Sequence, residues 1–279
     1  MVAVITQPDR PAGRGHKLTP TPVKSAALEL GLNVYEPIKL KAFAEELGAL
    51  GADIFAVASY GRILPQALLD LPKSGIAFNV HPSLLPLYRG ATPLQSAIRD
   101  GCTQTGVTII AMDAGMDTGD VLVQERTDLD PSETYGELHD RLAVLGAQCL
   151  NDAVDAFRNG TLQRIPQPTL GISPADIERT LTRPLTKDDT LINWSQSAQR
   201  IVNLVRSLAP APAARALLDG ELLKVLAART ARSGETGTTA DGGFVVAAAG
   251  TESVALLRVV PPNRGPMTGA AYRRAKAIV

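Results

Sequence analysis

Short apolar runs alternate with helix-like stretches through the first half of the chain, and this alternation restricts the fold more than any other feature. The runs suited to strands are 2–5, 34–35, 54–58, 76–80, 107–112 and 121–125, and most of them are separated by helical patterns. Alternation of strands and helices favours a largely parallel sheet with helices on both faces. The sequence therefore predicts an α/β fold with a doubly wound, mostly parallel sheet.

A Pro-rich stretch that begins near residue 166 divides the chain. It follows a long helical pattern over 132–159, and beyond it lies a helical stripe over 195–208. Short apolar runs with glycine-containing turns come next, a pattern typical of a small β-barrel. We predict an α/β domain over residues 1–166, a linker over 167–188 and a small β-barrel domain over 189–279.

Composition excludes several classes of protein. Hydrophobic residues make up 45% of the 279 residues, which indicates a packed globular chain, and no apolar run approaches the length of a membrane span. Without a basic leader before residues 2–5, we expect a cytoplasmic protein. The two cysteines and three histidines lack metal-type spacing, so we predict no metal site. Net charge is zero, yet residues 253–279 carry five basic side chains and no acid, which is compatible with contact to nucleic acid.

Polar side chains follow two of the predicted strands. Asn79 and His81 lie at the end of the run 76–80, and Asp117 comes shortly after the run 107–112. Open α/β sheets bind ligands at the carboxyl ends of their strands. An amide, an imidazole and a carboxylate at neighbouring strand ends would suit stabilisation of an oxyanion and transfer of a proton. The alternative is that His81 is a hydrogen-bonded packing residue and Asn79 a turn former.

Three motifs connect this arrangement to a known family. Asn79-x-His81, the segment 83–90 (Ser-Leu-Leu-Pro-x-Tyr-Arg-Gly) and the segment 117–120 (Asp-Thr-Gly-Asp) resemble the folate-dependent formyltransferases. Within that family, the segments 6–15 and 193–195 are similar to the members that act on methionyl-tRNA. The resemblance implies transfer of a formyl group from 10-formyltetrahydrofolate to the α-amine of initiator methionyl-tRNA, by a monomer with an oligonucleotide-binding-like C-terminal barrel.

The resemblance also assigns roles to individual residues. It implies that Asn79, His81 and Asp117 are catalytic. Folate binding is implied for Ser83, Leu84, Leu85 and Pro86, together with Tyr60 and Gly61. Contact with tRNA is implied for Arg10, Arg14, Lys17, Arg264, Arg273 and Arg274. Two alternatives remain at this point: a formyltransferase that acts on a nucleotide or sugar amine, and a non-catalytic RNA-binding relative.

One departure from the family concerns the first residues. The family begins with a strand, a Gly-Thr-Pro-like turn and a helix before the segment that resembles 2–14, so the resemblance implies that one βα unit of about thirty residues is missing. If the rest of the fold persists, runs 2–5 and 54–58 should stand roughly 9 to 10 Å apart, twice the usual spacing, with unpaired edges. The alternative is that run 2–5 shifts and pairs directly with run 54–58. We expect the chain alone to be poorly soluble or inactive, and an upstream extension to restore activity.

Overall fold

The computed structural model describes residues 1–12, 17–249 and 252–277. In the first domain the strands are β1 (Val4–Ile5), β2 (Arg10–Ala12), β3 (Lys17–Thr19), β4 (Val34–Tyr35), β5 (Phe55–Ala58), β6 (Ala77–His81), β7 (Gln104–Ala111) and β8 (Val121–Asp128). The helices are α1 (Pro22–Glu29), α2 (Ala44–Ala49), α3 (Gln66–Leu69), α4 (Pro93–Arg99) and α5 (Tyr135–Arg158). The predicted strand and helix order of the first half is present, and α/β is the correct fold class.

The main sheet of this domain is mixed. It has the order β5-β6-β7-β8, in which β5 and β6 are parallel while β7 is antiparallel to both of its neighbours. Direction cannot be read from an apolar run, since the same run suits a parallel or an antiparallel buried strand. The direction of β7 matters for the site described below.

The strands β1 and β5 belong to different sheets. β1 pairs in parallel with β4 alone, and within the described residues no strand pairs with the outer edge of β5. This agrees with the expectation that runs 2–5 and 54–58 are not paired with each other. A small core of Phe43, Leu47 and Leu68 joins the two sheets, because side chains of β1, β4 and β5 all pack against it.

The longest helix, α5, anchors the main core. A capping box starts it: the Thr134 hydroxyl accepts from the N–H of Glu137, and the Glu137 carboxylate accepts from the N–H of Thr134. Its buried face packs on β7 and β8, with Leu138 and Leu142 in the same core as Phe78. Among the described residues, none of the helices has the length and apolarity needed to cross a bilayer.

The second domain is a curled antiparallel sheet that carries two helices. Its elements are α7 (Ala198–Leu208), β9 (Ala214–Leu218), β10 (Glu221–Thr230), β11 (Phe244–Ala247), β12 (Ser253–Val260), β13 (Met267–Thr268) and α8 (Gly269–Ala277). The sheet order is β11-β12-β10-β9, and β13 also pairs with β12. Ile201, Val205 and Leu208 of the predicted helical stripe are buried in its core, so that helix was correctly predicted.

Residues 167–188, here called the strap, connect the domains. The strap contains a 3₁₀ turn at Gln167–Leu170 and the helix α6 (Pro174–Arg179), although its proline content had predicted only a linker. Gln167, Thr180 and Thr182 are buried. The Thr182 N–H donates to the carbonyl of Arg89, which ties the strap to the first domain.

Candidate active site

The three predicted catalytic side chains lie together. Asp117 is the centre of the group: its Oδ1 is 3.5 Å from Asn79 Nδ2, and its Oδ2 is 3.5 Å from His81 Nδ1. Both separations are at the long end for direct hydrogen bonds. The three side chains therefore lie close together without strong hydrogen bonds to one another.

Asp117 reaches this position by a route that the sequence did not indicate. The expectation was that both strands end at the same edge, but β7 runs antiparallel to β6, and Ala111 lies opposite Phe78. The loop 112–120 therefore starts beside the beginning of β6, where the Met112 N–H donates to the Ala77 carbonyl. It folds back along β6 to bring Asp117 to His81. Proximity of the three residues was predicted correctly, but the reason given for it was wrong.

His81 is almost enclosed, with 4% of its surface exposed. Its Nε2 is 3.0 Å from the carbonyl of Tyr88, which only accepts, so we assign the hydrogen to Nε2. Burial lowers the pKa of His81 below its ordinary value and outweighs the opposing effects of the Asp117 charge and the Tyr88 carbonyl. At neutral pH the ring is then uncharged, and its Nδ1 lone pair faces Asp117.

The backbone around Asp117 is held in an uncommon conformation. Asp117 has φ of +55°, a region that non-glycine residues seldom occupy. Its Oδ2 accepts from the Gly90 N–H at 2.8 Å. Gly90 has φ of +108°, and a Cβ there would lie 2.2 Å from the Thr182 carbonyl oxygen, so only glycine fits. The Arg-Gly end of the segment 83–90 thus supplies a donor to the carboxylate.

Gln167 also holds the loop that carries Asp117, and the sequence did not indicate this residue. Its Nε2 donates to the carbonyls of Asp117 and Gly119, both at 2.8 Å. Its Oε1 accepts from Nε and Nη2 of Arg89 at 3.1 and 2.6 Å. In the sequence Gln167 is one polar residue in a Pro-rich segment, and nothing in that pattern indicates that the segment folds back onto the site.

The segment predicted to bind folate is mostly enclosed. Ser83 and Leu85 are buried, and the Ser83 hydroxyl donates to the Leu87 carbonyl. Gln124 Nε2 donates to the carbonyl of Leu85 and to the Thr108 hydroxyl. Pro86 is buried, whereas Leu84 is half-buried. Ser83, Leu85 and Pro86 therefore set the shape of the loop, and their side chains face the protein.

Tyr60 and Gly61 follow β5, the strand next to β6. The register places Val57 opposite Asn79, so Tyr60 lies just beyond the strand end that carries the triad. The Tyr60 hydroxyl is buried and has no hydrogen-bond partner within the described part of the chain. Burial also raises the pKa of Tyr60, which keeps the hydroxyl a donor. An unpartnered buried hydroxyl beside the site suits a polar ligand.

The side chains predicted to contact tRNA differ in whether they already form ion pairs or hydrogen bonds within the protein. Arg14 lies outside the described residues, as does the side chain of Lys17, while exposed Arg10 donates to Gln7. In the second domain Arg273 pairs with Asp219 at 3.0 Å, so its charge is partly neutralised. Arg264 and Arg274 are exposed and form no ion pair with any described residue. The C-terminal excess of positive charge is therefore smaller than the sequence count indicates.

Two further observations bear on the location of the site. Among the described residues no group of three or more His, Cys, Asp or Glu side chains could hold a metal ion. A cleft of about 550 Å³ lies at the start of α5, lined by Asp128, Asp130, Glu133 and Glu137 with Arg141. Four carboxylates against one guanidinium make this cleft unsuitable for an anionic ligand such as folate or tRNA.

Comparison with known proteins gives the family. A family model described as formyl transferase matches residues 1–154, and one described as formyl transferase, C-terminal domain, matches residues 184–276. A methionyl-tRNA formyltransferase from Geotalea daltonii is 44% identical over 246 residues, covering 87% of this chain and 76% of the relative. One from Syntrophus aciditrophicus is 43% identical over 282 residues, covering 98% and 88%. The chain belongs to the methionyl-tRNA formyltransferase family.

Two solved structures that resemble this chain are more distant in sequence. An N-formyltransferase from Helicobacter canadensis, solved with folinic acid and dTDP-3-aminofucose, has a TM-score of 0.65 at 18% identity over 90% of this chain and 86% of its own. HypX from Aquifex aeolicus, solved with tetrahydrofolic acid, has a TM-score of 0.63 at 16% identity. The similarity covers 88% of this chain but only 43% of HypX. At these identities the likeness shows the shared fold.

Proposed function

We propose that this chain transfers the formyl group of 10-formyltetrahydrofolate to the α-amine of methionine on initiator tRNA. The observation that carries the proposal is the 43 to 44% identity to methionyl-tRNA formyltransferases across both domains. The triad of Asn79, His81 and Asp117 supports it, because these groups match the chemistry of the reaction. Folate as donor is supported by the folate compounds bound in the structural relatives.

For this reaction the protein must supply a hydrogen-bond donor to the developing oxyanion and a group that accepts the proton of the amine. The amine nitrogen bonds to the formyl carbon, the bond from that carbon to N10 breaks, and negative charge develops on the formyl oxygen on the way. We assign Asn79 Nδ2 as donor to that oxygen, a contribution worth roughly 3 kcal/mol. Neutral His81 takes the proton of the attacking amine at Nδ1, and Asp117 stabilises the resulting imidazolium. The released N10 takes this proton from His81, which returns the enzyme to its starting state.

Binding of the donor is proposed to use the pocket wall formed by Tyr60, Gly61 and Leu84. The unpartnered hydroxyl of Tyr60 is suited to a polar group of the pterin. Ser83, Leu85 and Pro86 contribute through the shape of their loop. The proposal involves no metal, since an amide, an imidazole and a carboxylate suffice for the steps above.

Binding of tRNA is proposed to use exposed arginines of both domains. Arg264 and Arg274 are available for phosphate contacts, whereas Arg273 must first leave Asp219. Arg10, Arg14 and Lys17 are proposed contacts on the resemblance of their segment to the family. We further propose a cytoplasmic monomer, because translation supplies the substrate there and the triad is complete within one chain.

A sugar amine is the main alternative acceptor. The Helicobacter canadensis relative, solved with an amino sugar nucleotide, shares 18% identity with this chain, against 44% for the Geotalea daltonii methionyl-tRNA formyltransferase. Sequence similarity therefore favours methionyl-tRNA. A non-catalytic RNA-binding role is disfavoured because such a protein would not need the triad geometry.

The test is formylation of purified methionyl-tRNA with 10-formyltetrahydrofolate, with a dTDP-amino sugar as the competing acceptor. We expect formylmethionyl-tRNA as the product, and Asn79→Ala, His81→Ala and Asp117→Ala should each lower kcat by roughly a hundredfold or more. His139→Ala, at an exposed histidine of α5, is the matched control and should keep normal activity. Formylation of the sugar alone, or near-normal turnover by His81→Ala, would contradict the proposal.

A further inference from the structure

Gln167 is a polar side chain in the interior of the protein, at the first residue of the strap. Only 1% of its surface is exposed. Burial of an amide costs free energy unless its hydrogen bonds are made. A buried glutamine is therefore expected to have specific hydrogen-bond partners. All four of its recorded bonds go to the loop that carries Asp117 or to Arg89.

These partners fix the orientation of the amide. The two groups opposite Nε2 are backbone carbonyls, which only accept, and the group opposite Oε1 is a guanidinium, which only donates. A flipped amide would oppose acceptor to acceptor and donor to donor at every contact. Gln167 can therefore hold this arrangement in one way, with its oxygen towards Arg89.

The contacts join the groups that determine the chemistry of the site. Asp117 has positive φ, and Gln167 binds its carbonyl while Gly90 binds its carboxylate. Arg89 lies close enough that its charge acts on His81, and it interacts electrostatically with Asp117 and Asp113. One buried amide thus ties the carboxylate loop to a guanidinium beside the imidazole.

We propose that Gln167 is a positioning residue of the active site, which holds the Asp117 turn and the Arg89 guanidinium in the geometry that formyl transfer requires. This inference rests on the proposed function. It assigns a role in the site to the strap, which connects the two domains, and gives a reason for the strap to pack against the first domain.

Two variants separate the functions of the amide. Gln167→Met keeps the length but loses every hydrogen bond, and Gln167→Glu keeps an acceptor for Arg89 but cannot donate to the carbonyls of Asp117 and Gly119 when ionised. We expect both to lower kcat by about tenfold to a hundredfold with KM for donor and tRNA within twofold of wild type. Gln104→Met, at an exposed glutamine of β7, is the control and should match wild type.

A second measurement does not depend on activity. The Gly90 N–H bonds to Asp117 Oδ2, so loosening of the Asp117 turn should raise the exchange rate of the Gly90 amide in NMR by at least about tenfold in both variants. Unchanged Gly90 exchange, wild-type kcat in Gln167→Glu, or a rise in KM without loss of kcat would each overturn the positioning role. Failure of the proposed function would appear separately, as absence of formylation by the wild type.

Discussion

His81 has one ring nitrogen bound to the protein and one that faces the site. The bond from Nε2 to the Tyr88 carbonyl orients the ring, and burial keeps the ring neutral. At pH 7 a larger fraction of such a ring is neutral, and so able to accept a proton, than of an exposed imidazole with an ordinary pKa. The same burial means that protonation puts a charge into the interior, where the Asp117 carboxylate and the Tyr88 carbonyl compensate it only in part.

This environment predicts the pH dependence of both activity and stability. Because the pKa of His81 is below its ordinary value of about 6.5, kcat/KM should stay constant down to that pH and fall only at more acidic pH. Between the pKa values of His81 in the folded and in the unfolded chain, the unfolded chain binds more protons. The contribution of neutral His81 to the free energy of unfolding is therefore fully present above about pH 6.5 and decreases as pH falls through this window.

Urea unfolding at pH 7.5 and 5.5 checks the stability part. Wild type should lose more free energy of unfolding between these values than His81→Gln, which cannot titrate, while His139→Gln should behave like wild type. A pH profile of kcat/KM with its acidic midpoint above pH 6.5 would show instead that Asp117 outweighs burial at this ring.

At the scale of elements, the sequence predicted where strands and helices occur better than how they are connected in space. The apolar stripe of α7 predicts a helix because its spacing places the apolar residues on one face. The continuous apolar run of β6 predicts a strand that is buried on both faces. The direction of β7 was not predictable, since it follows from the connections and not from side-chain pattern. The fold of the strap was missed for a related reason: prolines indicate the ends of elements, and they do not show which surface the chain packs against.

The candidate site shows the same division. Asn79, His81 and Asp117 could be selected from residue type and motif, and the structure brings them together. Gln167 and the Gly90 N–H could not, because their roles arise from contacts between segments that are distant in the sequence. Arg206 of α7 is a further example, since a charged residue on a helix is usually solvated but this one is 7% exposed.

The hydrogen bonds of Arg206 predict that this residue couples the unfolding of the two domains. Its guanidinium donates to the carbonyls of Ile98, Asp130 and Glu133 in the first domain, at 3.2 to 3.3 Å. Arg206→Met should remove these three hydrogen bonds between the domains and cost about 2 kcal/mol or more. We expect calorimetry to show the domains unfolding in two transitions, with Arg200→Met on the exposed face of α7 as the control. A single transition at the wild-type Tm would mean that other contacts couple the domains.

For the whole molecule, the zero net charge conceals an uneven distribution, and ion pairs decide which arginines are available. Arg273 is bound to Asp219, and Lys276 pairs with Glu221 at 2.7 Å. Arg274 lies on the same helix, α8, is exposed, and has no ion-pair partner in the described part of the chain. A phosphate contact by Arg274 breaks no existing pair, whereas one by Arg273 does.

This difference predicts the salt dependence of tRNA binding. Each phosphate contact contributes about 0.7 to 0.9 to the slope of log K against log salt concentration. Arg274→Gln should therefore reduce the slope by nearly one contact, and Arg273→Gln should reduce it by clearly less, because its side chain is already engaged. Filter binding of methionyl-tRNA distinguishes the two variants when it is measured at about 50 to 200 mM salt, the range in which such slopes are determined.

Arg158→Gln, at the exposed end of α5, controls for loss of one surface charge in the first domain. Equal slopes for wild type and Arg274→Gln would remove Arg274 from the tRNA interface and leave Arg264 as the exposed arginine without an ion pair among the second domain's candidate contacts.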